Sequence, residues 1–288
     1  MMLLIDRSDI DRVVRVERNM TLSQVLHQIK DKKSFATYTV QAIAVLMGYD
    51  HAIHTGEYHI EKDRPTFAVI YDMLSGHVVL YRFDIIEGDT KYDIYNKLLK
   101  TDGIKLNVTV NAIAEGSLMP DSYYFPRGTT SSDIISVAHS AMQGYLDFAW
   151  HNRVSSVMWL SKEEALIVAS LVEKESADSD ERKVIAKVIE NRLRKKMRLQ
   201  IDASVIYGKK DVARVTYKMV RRKHPYNTYI YKGLPPTAIC MPSRDAIFAA
   251  LHPSGSDDTL YYVLQKNGKH HFSATLKEHR RAKARRKK

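Results

Sequence analysis

Cysteine is nearly absent: Cys240 is the only one in 288 residues, which rules out an internal disulfide and leaves the redox compartment open. Long apolar runs are absent too. Nothing approaches the roughly 18–20 residues of a membrane span. The stretch from Val40 to Gly48 is too short, and Met1-Met-Leu-Leu-Ile5 runs straight into Asp6-Arg7, so no signal peptide is read there. No phosphate-cradling glycine loop and no nucleophile elbow occurs, which leaves nucleotide cofactors and serine-hydrolase chemistry unsupported. No Cys or carboxylate stands at metal-ligand spacing from His252, His270, His271 or His279, and adjacent histidines on a strand face opposite ways. The expectation is an enzyme without metal or cofactor. Low-complexity tracts and internal repeats are missing, as in an ordinary globular chain of one or two domains.

What is present in excess is positive charge, and it is unevenly placed. Residues 161–288 carry 29 Lys and Arg against 14 Asp and Glu, a balance of +15, whereas the first 160 residues balance at −3. A half this basic favours polyanions: nucleic acid, anionic lipid headgroups, or a wall polymer bearing carboxylates. No recognisable nucleic-acid motif accompanies it. The final run, Arg280-Arg-Ala-Lys-Ala-Arg-Arg-Lys-Lys288, reads as a solvated, frayed tail, with contact to an anionic membrane surface as the further reading.

The most informative feature is a carboxylate at the end of an apolar helix. Ser161-Lys-Glu-Glu164 fits a capping box, and seven of the eight residues from Ala165 to Val172 are apolar, so this helix is expected to be buried nearly all round. Glu175 follows Val172 by three residues and Leu171 by four, which puts it on their face. Glu173 is rotated from it by roughly 200° and points the other way. Asp178 to Glu181 can start a second helix, with Val184, Ile185, Val188, Ile189 and Leu193 as its apolar stripe and Lys183, Lys187, Arg194 and Lys195 towards water or partners. The pair makes an αα-hairpin with Glu175 near its elbow. The plain reading is that both glutamates solvate a helix end. The functional reading is that burial holds Glu175 neutral, as a general acid requires.

Leu171-Val-Glu-Lys-Glu175, Asn191-Arg-Leu-Arg194, Met197-Arg-Leu-Gln200, Asp202 and Val205-Ile-Tyr-Gly208 occur in the order and spacing of a known family. Tyr226-Asn-Thr-Tyr229, Gly233-Leu-Pro-Pro236, Ala249-Ala-Leu-His-Pro253, Leu260-Tyr-Tyr-Val263 and His270-His-Phe-Ser273 continue the match. Over about residues 50–283 the chain resembles the YceG-like (MltG) endolytic murein transglycosylases. It departs at Asp202-Ala-Ser204, where the family has proline after the aspartate, and at Thr237 and Ser243, where glycines are common. These departures put the geometry of those turns in question.

The resemblance implies an α+β fold: a small LysM-like module at about 50–100 within an N-terminal region 1–110, a mixed α/β catalytic domain over 111–283 with a helical hairpin carrying Glu175, and a basic tail at 284–288. The patterns agree in outline. Leu22–Ile29 and Tyr38–Met47 read as helices, Gly56–Ile60 as a strand, Phe67–Leu74 as a helix closed by Gly76, Val78–Ile85 as a strand, and the turn at Glu87–Thr90 opens a helix through Leu98. Glu115-Gly-Ser-Leu-Met-Pro-Asp-Ser-Tyr-Tyr-Phe-Pro126 is a turn-rich segment whose three aromatics either plug a junction or stack on sugar. Thr130–Asp133 starts a helix running through Trp150.

By resemblance the substrate is the glycan strand of peptidoglycan, cut internally between N-acetylmuramic acid and N-acetylglucosamine to leave a 1,6-anhydro end, with Glu175 as acid and then base. Gln200, Asp202, Tyr226 and Asn227 are the candidate substrate contacts; the plain reading of each is turn chemistry. Peptidoglycan synthases of the elongation or division machinery are the implied partners. The implied location is the cell envelope, periplasmic or on the outer face of the cytoplasmic membrane. The family's members carry an N-terminal transmembrane helix that this chain does not show; the start lies downstream of that anchor, or the anchor has been lost. Two other readings stay open: a peptidoglycan hydrolase in which Asp202, rather than Asp178 or Asp180, supplies a second carboxylate, and a non-catalytic basic module binding anionic polymers.

Overall fold

The computed structural model describes residues 7–29, 35–46, 48, 52–209, 212 and 214–287. The readings of Met1–Ile5, of Met47 and of Lys288 lie outside these residues. In chain order the elements are β1 (Arg12–Val16), α1 (Leu22–Ile29), α2 (Phe35–Leu46), β2 (Gly56–Ile60), α3 (Thr66–Ser75), β3 (Leu80–Ile85), α4 (Lys91–Leu98), β4 (Asp121–Pro126), α5 (Ser131–His151), α6 (Lys162–Glu175), α7 (Ser179–Arg194), α8 (Asp202–Ile206), α9 (Tyr217–Val220), α10 (Arg244–Leu251), β5 (Tyr261–Leu264), β6 (His270–Ser273) and α11 (Leu276–Lys287). The strands form three two-stranded sheets, β1–β2, β3–β4 and β5–β6. The fold is mixed α and β with helices dominant, as expected.

The chain divides into two compact units. The first holds residues up to Phe83 together with Thr101–Leu106 and Tyr124–Ser131. In it β1 and β2 pair antiparallel from Arg12↔Ile60 to Val16↔Gly56. Alternation along the strands puts Val14, Val16, Tyr58 and Ile60 on one face, where they pack with Leu22, Val25, Leu26 and Ile29 of α1 and Val69, Ile70 and Met73 of α3. Gly76 ends α3 in the left-handed conformation at φ 71°, its amide returning to the Asp72 carbonyl. The order β2–α3–β3–α4 is the one the LysM-like resemblance implies. Its two strands nevertheless take separate partners, β1 and β4, and α4 belongs to the second unit.

The second unit holds Asp84–Lys100, Asn107–Tyr123 and the chain from Ser132 onward. Its centre is the triple contact of α6, α7 and α10. Ala165 and Ala169 of α6 and Ala246, Ala249 and Ala250 of α10 are fully buried, and these small side chains let the helices approach closely around Val168, Val172, Ile185 and Ile189. Trp159 locks the start of α6 to α10 by donating its indole N–H to the Ala250 carbonyl at 2.7 Å. Ser161 caps α6 by accepting the Glu164 amide at 3.2 Å, but the Glu164 carboxylate accepts from Leu160, one residue beyond the cap, so the box expected there is only half formed. At Gly116, φ 78°, a Cβ would fall 2.6 Å from the Ala238 Cβ, so only glycine fits.

Two expectations need correction. The segment Asp121–Pro126 is strand β4, not a turn, with Phe125 buried and Tyr124 exposed. The basic tail is solvated as expected, with Arg281, Lys283 and Arg285 exposed, but it is helical, α11 running to Lys287. Among the described residues no helix is long and apolar enough to cross a membrane.

Candidate active site

Glu175 is the last residue of α6. Asp178 then caps α7 by accepting the Asp180 and Glu181 amides at 3.0 and 3.1 Å, so three residues turn the chain between the two helices. The elbow expected from the sequence is therefore present, and its two glutamates part company. Glu173 faces inward and is not solvated. Arg182 donates to it at 2.7 Å, the Ser243 amide does so at 2.8 Å, and the pair is almost wholly buried. The same guanidinium holds the Ser176 carbonyl at 2.9 Å and the Ser243 hydroxyl at 3.0 Å, which pins the elbow to the start of α10.

Glu175 faces a cleft, part of its surface still open. Dense surroundings strip most of its solvation, and this desolvation pushes its pKa up. The Asp202 carboxylate adds to the rise. A hydrogen bond from the Tyr262 hydroxyl and the charges of His270 and Arg192 oppose it. The Tyr262 phenol is itself driven well above its ordinary value by burial and by Glu175, so it stays a donor.

Two cavities meet at Glu175 and Asp202. One, of about 880 Å³, is bordered by Tyr92 and Asn96 of α4, by Tyr207 and by Lys209, Val212, Arg214 and Val215. The other, of about 520 Å³, is bordered by Arg192, Gln200, Tyr229, the β5–β6 hairpin and His279 and Lys283 of α11. Glu175 thus stands part-way along an open cleft rather than at a blind end.

Of the expected contacts, Gln200 and Asp202 reach this cleft. Gln200 adopts φ 53°, sparsely populated for a side-chain-bearing residue, and is exposed between the buried Leu199 and Ile201. Asp202 opens the helical turn α8 and accepts from the Tyr229 hydroxyl at 2.6 Å. The departure Asp202-Ala-Ser204 does not loosen this segment: Ser204 donates to the Ile201 carbonyl at 2.7 Å, and Thr228 accepts the Ile201 amide at 2.9 Å. Ser243 and Thr237 are likewise at home, neither having positive φ. Ser243 caps α10, and Thr237 lies 2.8 Å from the Tyr226 hydroxyl.

Tyr226 and Asn227 border neither cavity. Tyr226 packs against Tyr207 with ring centroids 4.5 Å apart. Asn227 is buried, its amide committed to the carbonyls of Met219, Val220 and Arg222 and its oxygen to the Tyr229 amide, so its role is turn chemistry. The sequence reading missed Arg192, Tyr262 and His270 as site residues, although each lies in a quoted motif. Arg192 is buried on the polar side of α7, donating to the carbonyls of Leu260 at 2.7 Å and Leu199 at 2.5 Å, and so ties Gln200 to β5. His270 is held by Glu181, which accepts from its amide at 2.7 Å and lies 2.6 Å from its Nδ1. Cys240 is buried and its thiol is pushed up, which excludes it as a nucleophile. Among the described residues no three His, Cys, Asp or Glu side chains gather as metal ligands.

This arrangement, one carboxyl of raised pKa in an open cleft, coincides with a match of residues 14–285 to the model of the YceG-like family. The chain belongs to the YceG-like family. Among its YceG-like relatives, the endolytic murein transglycosylase of Bacillus subtilis (strain 168) is 31% identical over 88% of this chain and 77% of its own length. That of Streptococcus pneumoniae (strain R6) is 32% identical over 58% of this chain and 31% of its own. The crystal structure of a YceG-like protein from Listeria monocytogenes superposes with a TM-score of 0.61 at 27% identity, covering 95% of this chain and 99% of that one.

Proposed function

We propose that this chain is a lyase of peptidoglycan, a lytic transglycosylase that cuts the glycan strand internally between N-acetylmuramic acid and N-acetylglucosamine. The observation that carries the reading is Glu175, a carboxyl raised in pKa by desolvation where two cavities of one open cleft meet. The named activity of the relatives from Bacillus and Streptococcus supports it. Protonated Glu175 gives its proton to the glycosidic oxygen as the bond to C1 of the muramyl ring breaks. The oxygen of the ring's own 2-acetamido group closes on C1 and takes up the positive charge. Ionised Glu175 then removes the proton from the C6 hydroxyl as O6 attacks C1 and the acetamido oxygen leaves. No water is consumed, and the product ends in a 1,6-anhydro-muramoyl residue. One group serving as acid and then base removes the need for the second carboxylate of an ordinary glycosidase.

Mass spectrometry of purified peptidoglycan digested in ¹⁸O-labelled water tests this. Internal fragments with unlabelled anhydro ends are expected. Labelled reducing ends would instead support hydrolysis, the reading favoured by Asp202, which borders the same two cavities as Glu175.

A pH prediction follows from the groups around the acid. Glu175 must enter the reaction protonated, so kcat/KM should fall as pH rises through its raised pKa. Asp202→Asn removes a negative charge that disfavours ionisation, so this limb should move to lower pH. Tyr262→Phe removes a hydrogen bond to the ionised form, so the limb should move to higher pH. Shifts in the same direction in both variants would show that another group controls the limb.

A further inference from the structure

The cavity on the α11 side of Glu175 gathers positive charge away from its two acids, Glu175 and Asp202. Arg192 is buried and its guanidinium lies over the Tyr261 ring at 5.3 Å, yet among the described residues it ion-pairs with no carboxylate and donates to the backbone carbonyls of Leu260, Arg198 and Leu199. Lys283 borders the same cavity from α11, also without an ion-pair partner among the described residues. A buried cation without a counter-charge is costly, and the cost is relieved by an anion that reaches it. A second, independent observation points the same way. His279, stacked on Tyr261, borders the same cavity, and among the described residues its buried Nδ1 has no hydrogen-bond partner. The acids bordering the cavity, Glu175 and Asp202, both sit where it joins its neighbour, and Asp202 is already engaged by Tyr229.

We propose that Arg192, His279 and Lys283 form a subsite for a carboxylate borne by a muramyl residue of the bound strand. The proposal rests on the peptidoglycan reading above and adds to it what distinguishes this substrate from other N-acetylated glycans. A muramyl residue carries a lactyl ether that ends either in a free carboxylate or in a peptide stem bearing carboxylates, whereas a chitin chain of the same length carries neither. The subsite would make the cleft select carboxylate-bearing strands, using Arg192 as a fixed fork and Lys283 as a mobile charge from the protein surface.

Binding can be measured by calorimetry on full-length protein carrying Glu175→Gln, so that the ligands stay intact. Three probes of matched length separate the possibilities: a chito-oligosaccharide, glycan strands stripped of peptide so that only the lactyl carboxylate remains, and stem-bearing strands. At low salt at least one carboxylate-bearing probe should bind about tenfold more tightly than the chito-oligosaccharide, the size of one charge-assisted contact. If the stripped strand shares the advantage, the lactyl carboxylate is the ligand; if the stem-bearing strand alone has it, a stem carboxylate is. Adding Lys283→Gln or His279→Gln should shrink that advantage. Lys195→Gln, an equal charge change in a separate cavity formed by Ser156, Lys187, Asn191 and Asp257, should leave it intact. Equal binding of all three probes would overturn the subsite while leaving the lytic reading standing, as would an equal loss in Lys195→Gln and Lys283→Gln. Binding of none of the three would overturn both.

Discussion

Replacing Glu175 by glutamine is expected to lower turnover of peptidoglycan strands by about 10²–10⁴-fold, the usual contribution of a positioned acid–base group, without unfolding the protein. Glutamine keeps the shape and can still accept from Tyr262, but it has no proton to give to the leaving oxygen. Stability should move the other way. Burial raises the pKa of Glu175 above its ordinary 4.5, so between that value and the raised one the native state holds a proton that the unfolded chain has released. The stability tied to this proton is fully present below pH 4.5 and is lost as pH rises through the folded-state pKa. Glutamine does not titrate, so at neutral pH the variant should melt no lower than wild type, and higher if the wild-type carboxyl is forced to ionise. Turnover by mass spectrometry and thermal melting across pH 4 to 8 check the two halves. Full activity in a folded Glu175→Gln protein would remove Glu175 from the chemistry and leave Asp202 as the carboxyl to test.

The αα-hairpin was legible because its signals are local: a serine cap, seven apolar residues in eight, and an aspartate cap three residues beyond the acid. The helical rotation from Glu173 to Glu175 also carried over directly into opposite environments, an ion pair inside and a cleft outside. What periodicity could not supply was the fate of polar residues on α7. Glu181, Arg182, Glu190, Asn191 and Arg192 are all buried, and on a helix read by apolar spacing they count as its wet side. Glu190 is paired locally, with Lys187 and Arg194, but most of the others are compensated far along the chain: Glu181 by His270, Asn191 by the carbonyls of Ser256 and Thr259, Arg192 by Leu260. Such pairings leave no mark on local pattern. The same limit explains why the sequence left Asn227 between ligand and turn residue, whereas its amide is committed to backbone carbonyls, and why a run of arginines and lysines that reads as a loose tail continues α11 as a helix.

The second large effect concerns the support of the acid. Arg182→Met should lower the free energy of unfolding by about 3–5 kcal/mol, because it leaves Glu173 buried without its counter-charge while the Ser176 carbonyl and Ser243 hydroxyl lose a donor. Glu173→Gln should cost less, since the amide oxygen can still accept from Arg182 or from Ser243. Urea titration of the two variants gives both numbers. The ordering separates a pair that holds the elbow from one that merely sits there: if Arg182→Met unfolds at nearly the wild-type urea concentration, the pair contributes little. A double change to apolar residues of similar volume should recover much of the loss, since the larger penalty lies in the unpaired charge rather than in the missing attraction. Recovery of stability without recovery of turnover would then be the informative outcome. It would mean that Arg182 is present less to hold the helices together than to fix where α6 ends, and with it where Glu175 points.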